Sequence, residues 1–117
     1  MIQSFPADTL VCPQEELSEG LYVVRSGTAK EVVRSTQKDS EAAVQVLKPG
    51  DSHGLISLID GQACSTTLVT LQPCEFLFIP RSTFVAELKE HPKVYRQALD
   101  HLCGDLRMAH RWVAELL

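Results

Sequence analysis

No run of lysine or arginine occurs in this chain, and its 11 basic residues are outnumbered by 15 acidic ones, for a net charge of −4 and a pI near 5.5. Without a basic stripe to neutralise phosphates, direct nucleic-acid contact by this domain is not expected. No apolar stretch exceeds about ten residues, too short to span a bilayer. The start, Met1-Ile2-Gln3-Ser4-Phe5-Pro6, lacks the basic and apolar regions of a secretory signal. The four cysteines, Cys12, Cys64, Cys74 and Cys103, follow no CxxC spacing. That pattern reads as reduced thiols rather than a disulfide framework. A cytoplasmic protein without a membrane partner is the expectation.

Catalytic signatures are also lacking. There is no nucleophile elbow, no HExxH, no GxxxxGK[ST] and no GxGxxG. Since no cluster of acid, base and nucleophile can be named, an enzyme is not expected. His53, His91, His101 and His110 are scattered, with His91 expected in a loop and His101 and His110 on the flanks of a long helix. Cys103 and His110 share a helix face but lie two turns apart, about 10.5 Å along the axis, too far for one ion. No metal site and no resident cofactor are expected.

What remains is globular. The 117 residues, with 44% hydrophobic and 22% charged side chains, suit one domain over 1–117 with its own core. Residues 5–79 are rich in β-branched side chains with turn signals at roughly 8–12-residue spacing, the mark of a sandwich or roll. Strands are predicted at Thr9-Leu10-Val11, Leu21–Arg25, Thr28–Arg34 and Ala43–Leu47, with a polar loop over 35–40. Cys64–Leu71 and Glu75–Ile79 are predicted to form a hairpin around Gln72-Pro73. This order of turns favours a jelly roll.

Two helices follow, over 82–90 and 92–116. Ser82 suits an N-cap for the first, with Phe84, Val85 and Leu88 on one side, and Pro92 suits the first turn of the second. Along the long helix Tyr95, Leu99, Leu102, Leu106, Ala109, Val113 and Leu116 recur at alternating steps of four and three. Such a seam calls for another helix. About 25 helical residues reach roughly 37 Å, more than a small roll covers. A homodimer through this helix is therefore expected, and Gly104 is its weak point at about 1 kcal/mol relative to alanine.

The most informative segment runs from Pro49-Gly50-Asp51 through Gly61 to Ser65-Thr66-Thr67. A strand ends at Pro-Gly-Asp, Gly54 opens a short apolar helical turn, Gly61 closes it, and hydroxylated residues begin the next strand. Backbone amides and small side chains in such a turn let an anion approach. His53, Gly54, Leu55, Ile56, Ser57, Cys64, Ser65 and Thr66 are the candidate ligand-binding residues.

With this segment the chain resembles the cyclic-nucleotide-binding domain of the catabolite-activator and fumarate-nitrate regulator (Crp/Fnr) superfamily. Leu21–Gly27 looks like the family's strand and glycine turn, and Leu47–Asp51 like the approach to its phosphate-binding cassette. Cys74–Phe84 looks like its last strand and following helix, and His91-Pro92 like the start of its long helix. The resemblance implies a mainly β fold with α: a jelly-roll β-roll, a short helix and a long C-terminal helix. It also implies a non-enzymatic sensory and dimerisation domain of a transcriptional regulator, responding to a small-molecule effector.

The cassette departs from the family pattern. Where cyclic-nucleotide binders place a Glu for the ribose hydroxyl this chain has Leu55, and where they place an Arg for the phosphate it has Cys64. A buried phosphate without a paired cation pays several kcal/mol in desolvation, and a charge-assisted contact contributes about 1.5–3 kcal/mol. Cyclic AMP held by the usual Glu and Arg contacts is not expected. Two alternatives stay open. One is a weaker nucleotide receptor using the amides of residues 54–57, the hydroxyls of Ser57, Ser65 and Thr66, and Lys48 or Arg25. The other is a ligand-free dimerisation module with a filled pocket.

Overall fold

The computed structural model describes residues 1–35 and 37–117; Thr36, inside the polar loop expected over 35–40, lies outside the described residues. Among the described residues, eight strands and three helices follow in chain order. They are β1 (Ile2–Phe5), β2 (Leu10–Cys12), β3 (Gly20–Ser26), β4 (Ala29–Arg34), β5 (Glu41–Leu47), β6 (Ser52–His53), α1 (Leu55–Asp60), β7 (Thr67–Thr70), β8 (Cys74–Pro80), α2 (Arg81–Lys89) and α3 (Lys93–Leu116). The strands form two four-stranded antiparallel sheets, ordered β1-β8-β3-β6 and β2-β7-β4-β5. The expected jelly roll with a short and a long helix is thus present.

Period-two burial builds the core. Along β3, Gly20, Tyr22 and Val24 point inward while Leu21 and Val23 are only half-buried, as alternating Cβ directions require. Phe76 on β8 is fully buried and meets Phe5 and Tyr22 edge-on, each at a ring-centroid distance of 5.8 Å. From the facing sheet come Ala29, Leu47 and Leu68, none with exposed surface. Each large side chain so buried contributes about 1.5–3 kcal/mol.

Three local expectations change. The strands β7 and β8 do not pair as a hairpin: β7 lies between β2 and β4, and β8 between β1 and β3. The Gln72-Pro73 turn instead carries the chain from one sheet to the other. It is pinned by the Leu71 amide and the Cys74 thiol, which both donate to the Thr28 carbonyl at 2.9 and 3.1 Å. Ser82 is not an N-cap. Pro80, extended at φ −58 and ψ 148, precedes the helix without a side-chain cap, and Arg81 N–H donates to Glu19 O. The short strands β1 and β6 carry too few residues for a periodic signal, and the sequence pattern passes over them.

The long helix turns one stripe to the roll and leaves another to solvent. Leu99 and Val113 are half-buried and Cys103 is buried, whereas Tyr95, Leu102, Leu106, Ala109 and Leu116 of the expected seam are exposed. Arg107 and His110 lie on the roll-facing side, so His110 is not a flank residue. Among the described residues, no helix is long and apolar enough to cross a membrane.

Candidate functional site

The cassette begins where β6 ends. Gly54 has φ +104, and a Cβ there would stand 2.7 Å from the Gly20 carbonyl and 2.9 Å from Ser18 Oγ. Only glycine combines that left-handed backbone with so close an approach. The single turn α1 follows, and Gly61 closes it at φ +71 by donating to Ser57 O. Arg81 holds this turn from behind: Nε donates to Ser18 O at 2.9 Å, and Nη1 and Nη2 donate to Ser57 O and Ser57 Oγ at 3.2 and 2.9 Å.

In front of the turn lies a cavity of about 170 Å³, lined by His53, Gly54, Leu55, Ile56, Cys64, Ser65 and Thr66, with Glu31, Gln45, Ser52 and Leu106 completing its wall. Seven of the eight candidate ligand-binding residues therefore meet here. The exception is Ser57, which is buried and faces away, accepting hydrogen bonds from Ser18 N–H and Arg81. The other hydroxyls are committed too. Ser65 Oγ pairs with His110 Nδ1 at 2.6 Å, and Thr66 Oγ1 donates to Glu31 Oε2 at 3.1 Å. Lys48 and Arg25 do not reach the cavity, and no lysine or arginine lines it among the described residues.

The long helix is fastened to this cassette. Arg107 grips Asp60 in a fork, Nε to Oδ2 at 2.6 Å and Nη2 to Oδ1 at 2.9 Å, and its Nη1 donates to Ala63 O. Burial raises the Asp60 carboxyl, but the Arg107 guanidinium and the Gln62 amide outweigh it and hold that carboxyl below its ordinary range. Burial lowers the affinity of His110 for a proton, a pull that Glu31 opposes only in part and that the Arg107 charge reinforces. Three contacts thus join α3 to the turn: Arg107–Asp60, Arg107–Ala63 and His110–Ser65. A larger cavity of about 500 Å³ lies beyond this latch and shares Cys64 and Ser65 with the first.

Beneath the cassette sits a polar cluster for which the sequence gives no spacing signal. Cys12, Cys64 and His53 are all buried, and each offers a ligand atom within 4.8 Å of the other two. Backbone pairing brings the thiols together, because Glu15 N–H donates to Cys64 O and Cys64 N–H to Glu16 O, both at 2.8 Å. Register shifts at Leu10/Cys12 and at Glu31/Val32 re-aim two of the strands involved, a common use of bulges. Nδ1 of His53 stands 2.6 Å from Glu31 Oε2. Within the pair of thiols, the hydrogen bond from Cys12 favours a thiolate on Cys64, moving it down to about 4 while Cys12 moves up. Burial opposes charge on His53, but the Cys64 sulfur and the Glu31 carboxylate together raise it to about 9.

Glu31, Asp60, Arg107 and Cys12 were not identified from sequence. Arg107 carries a trace of signal, as a charged residue on a helix flank that must lie against something. The other three depend on which strands become neighbours.

Comparison with known proteins places these features in context. Residues 2–91 match the family profile described as cyclic nucleotide-binding domain. Lysophospholipase NTE1 of Candida albicans is 37% identical over 93 residues, 76% of this chain and 7% of that protein. The cyclic AMP receptor protein of Thermus thermophilus is 28% identical over 105 residues, 90% of this chain and 48% of that one. The EAL enzyme Bd1971, solved in a cAMP-bound form, superposes with a TM-score of 0.85 at 17% identity, over 93% of this chain and 29% of its own, a likeness of fold. The chain spans less than half the length of the curated relatives it matches.

Proposed function

This chain belongs to the cyclic nucleotide-binding domain family, related to Crp-type regulators, and we propose that it is a non-enzymatic sensory domain whose effector is not a cyclic nucleotide held by the usual charges. One observation carries this reading: the long helix is bolted to the cassette turn by Arg107 and His110, while Leu106 forms part of the cavity wall. Whatever enters the cavity must push on Leu106 or compete for Ser65. Occupancy is thereby converted into movement of α3, and α3 carries the apolar seam through which two copies pair. A DNA-reading partner domain outside this chain would receive that movement.

Cavity chemistry supports the negative half of the proposal. At about 170 Å³ the space is below the roughly 300–1,000 Å³ of ordinary ligand pockets. Its wall offers a carboxylate, Glu31, and an imidazole already committed to that carboxylate. Within this cavity a cyclic phosphate would sit beside a negative group at a cost of several kcal/mol, the guanidiniums of Arg107 and Arg111 lining the adjoining 500 Å³ cavity instead. The amide-and-hydroxyl alternative weakens in the same place, because Ser57, Ser65 and Thr66 already hold other partners. Four free, buried cysteines support a reducing, cytoplasmic setting.

Hydrogen exchange tests the coupling. Ser65→Ala removes one of the three contacts of the latch, and it should speed exchange of the α3 amides around His110 several-fold. Unchanged exchange along α3 in that variant would mean that the Ser65–His110 contact does not couple cassette to helix.

A further inference from the structure

The cluster beneath the cassette suits an ion better than it suits a protein core. From it we propose that Cys12, Cys64 and His53 form a binding site for one zinc(II) ion per chain, with Glu31 orienting the histidine. This proposal stands apart from the sensory role and does not depend on it.

Four observations converge. First, the donor set is two thiolates and an imidazole, the soft combination that selects zinc among abundant divalent ions. Second, the three donors are already gathered, within 4.8 Å of one another, so sub-ångström to ångström shifts bring them to the 2.0–2.3 Å metal–ligand bonds of zinc. Third, His53 is only 2% exposed, and its Nε2 has no hydrogen-bond partner of normal geometry among the described residues. A buried, unpartnered ring nitrogen costs free energy, and a metal ion is a partner that would remove that cost. Fourth, the other ring nitrogen, Nδ1, meets Glu31 Oε2 at 2.6 Å. A carboxylate on the far nitrogen of a ligating histidine fixes the ring and its tautomer. Thr66 in turn donates to the same carboxylate oxygen at 3.1 Å, so the orienting group is itself held.

Charge agrees with this assignment. Two thiolates and a neutral imidazole around a divalent cation make a neutral unit, which a buried site tolerates far better than separate charges. Uptake of the ion releases the protons that the thiols and ring carry beforehand. Three protein ligands leave a fourth position. His53 and Cys64 also line the 170 Å³ cavity, so a water or a donor atom of a small ligand could complete the coordination from that side.

The test uses the whole chain, reduced and stripped of metal, titrated with cobalt(II) and then zinc(II). The expected result is saturation at one cobalt per chain with a sulfur-to-cobalt charge-transfer band of two-thiolate intensity, bleached by zinc. Cys12→Ala and Cys64→Ala should each abolish stoichiometric binding, and Glu31→Gln should weaken it about 10–100-fold. Cys74→Ser and Cys103→Ser should leave it intact. If the cysteine variants fail to fold, the wild-type band alone decides. Absence of charge transfer at one equivalent, or binding that survives in folded Cys12→Ala and Cys64→Ala, overturns the site. So does a reduced protein that takes up no cobalt but joins Cys12 to Cys64 under mild oxidation, which would make the pair a dithiol switch.

Discussion

Arg107 ties the long helix to the cassette with three hydrogen bonds. Its fork on Asp60 is largely buried, with 15% and 6% of the two side chains exposed. Arg107→Ala should therefore cost about 2–3 kcal/mol, read as a lower denaturant midpoint with an unchanged slope. Gly104 makes the opposite case. It lies in mid-helix, and among the described residues no atom beyond its own helix backbone comes within 4 Å of where a Cβ would stand, so Gly104→Ala should stabilise the chain by up to about 1 kcal/mol. A loss of stability there would reveal a contact that the isolated chain does not make. At this scale the sequence was only half legible. Leu55 and Cys64 could be seen as replacements because a family pattern says what should stand there. Glu31 and Cys12 could not, since their roles arise from register shifts in strands that are distant in sequence.

At the scale of elements, the docking of α3 depends on the state of His110. Its folded-state proton affinity lies below the ordinary value of 6.5. The neutral ring thus contributes stability that is fully present above pH 6.5 and is lost as the pH falls below it towards the lower folded value. The groups facing it are Glu31, which favours the charged ring, and Arg107, which opposes it. Acidification from pH 7.5 to about 5 should lower the protection factors of the α3 amides near His110, the intrinsic exchange rate at each pH being divided out. His110→Gln should remove that dependence. If wild type and variant respond to acid alike, the latch does not run through His110. The element pattern was the most legible part of the chain, because period-two burial in β3 and the 3.6-residue repeat in α3 follow directly from side-chain geometry. Pairing was harder. A turn such as Gln72-Pro73 looks the same whether it closes a hairpin or crosses between sheets, and here the Thr28 carbonyl decides.

For the molecule as a whole, the exposed seam sets the quaternary expectation. Tyr95, Leu102 and Leu116 are 61%, 56% and 87% exposed in the single chain, a pattern that favours a partner helix. Light scattering should find a dimer at high micromolar concentration, and Leu102→Glu with Ala109→Glu should convert it to a folded monomer. A wild-type monomer at that concentration would count against pairing through α3. On the proposed reading, a cassette with Leu55 and Cys64 where cyclic-nucleotide binders carry Glu and Arg does not read a cyclic nucleotide. The most direct test of that reading is a calorimetric titration of cyclic AMP and cyclic GMP into the purified chain. No saturable heat is expected in the micromolar range, and a micromolar Kd for either nucleotide would show that the cassette still binds it.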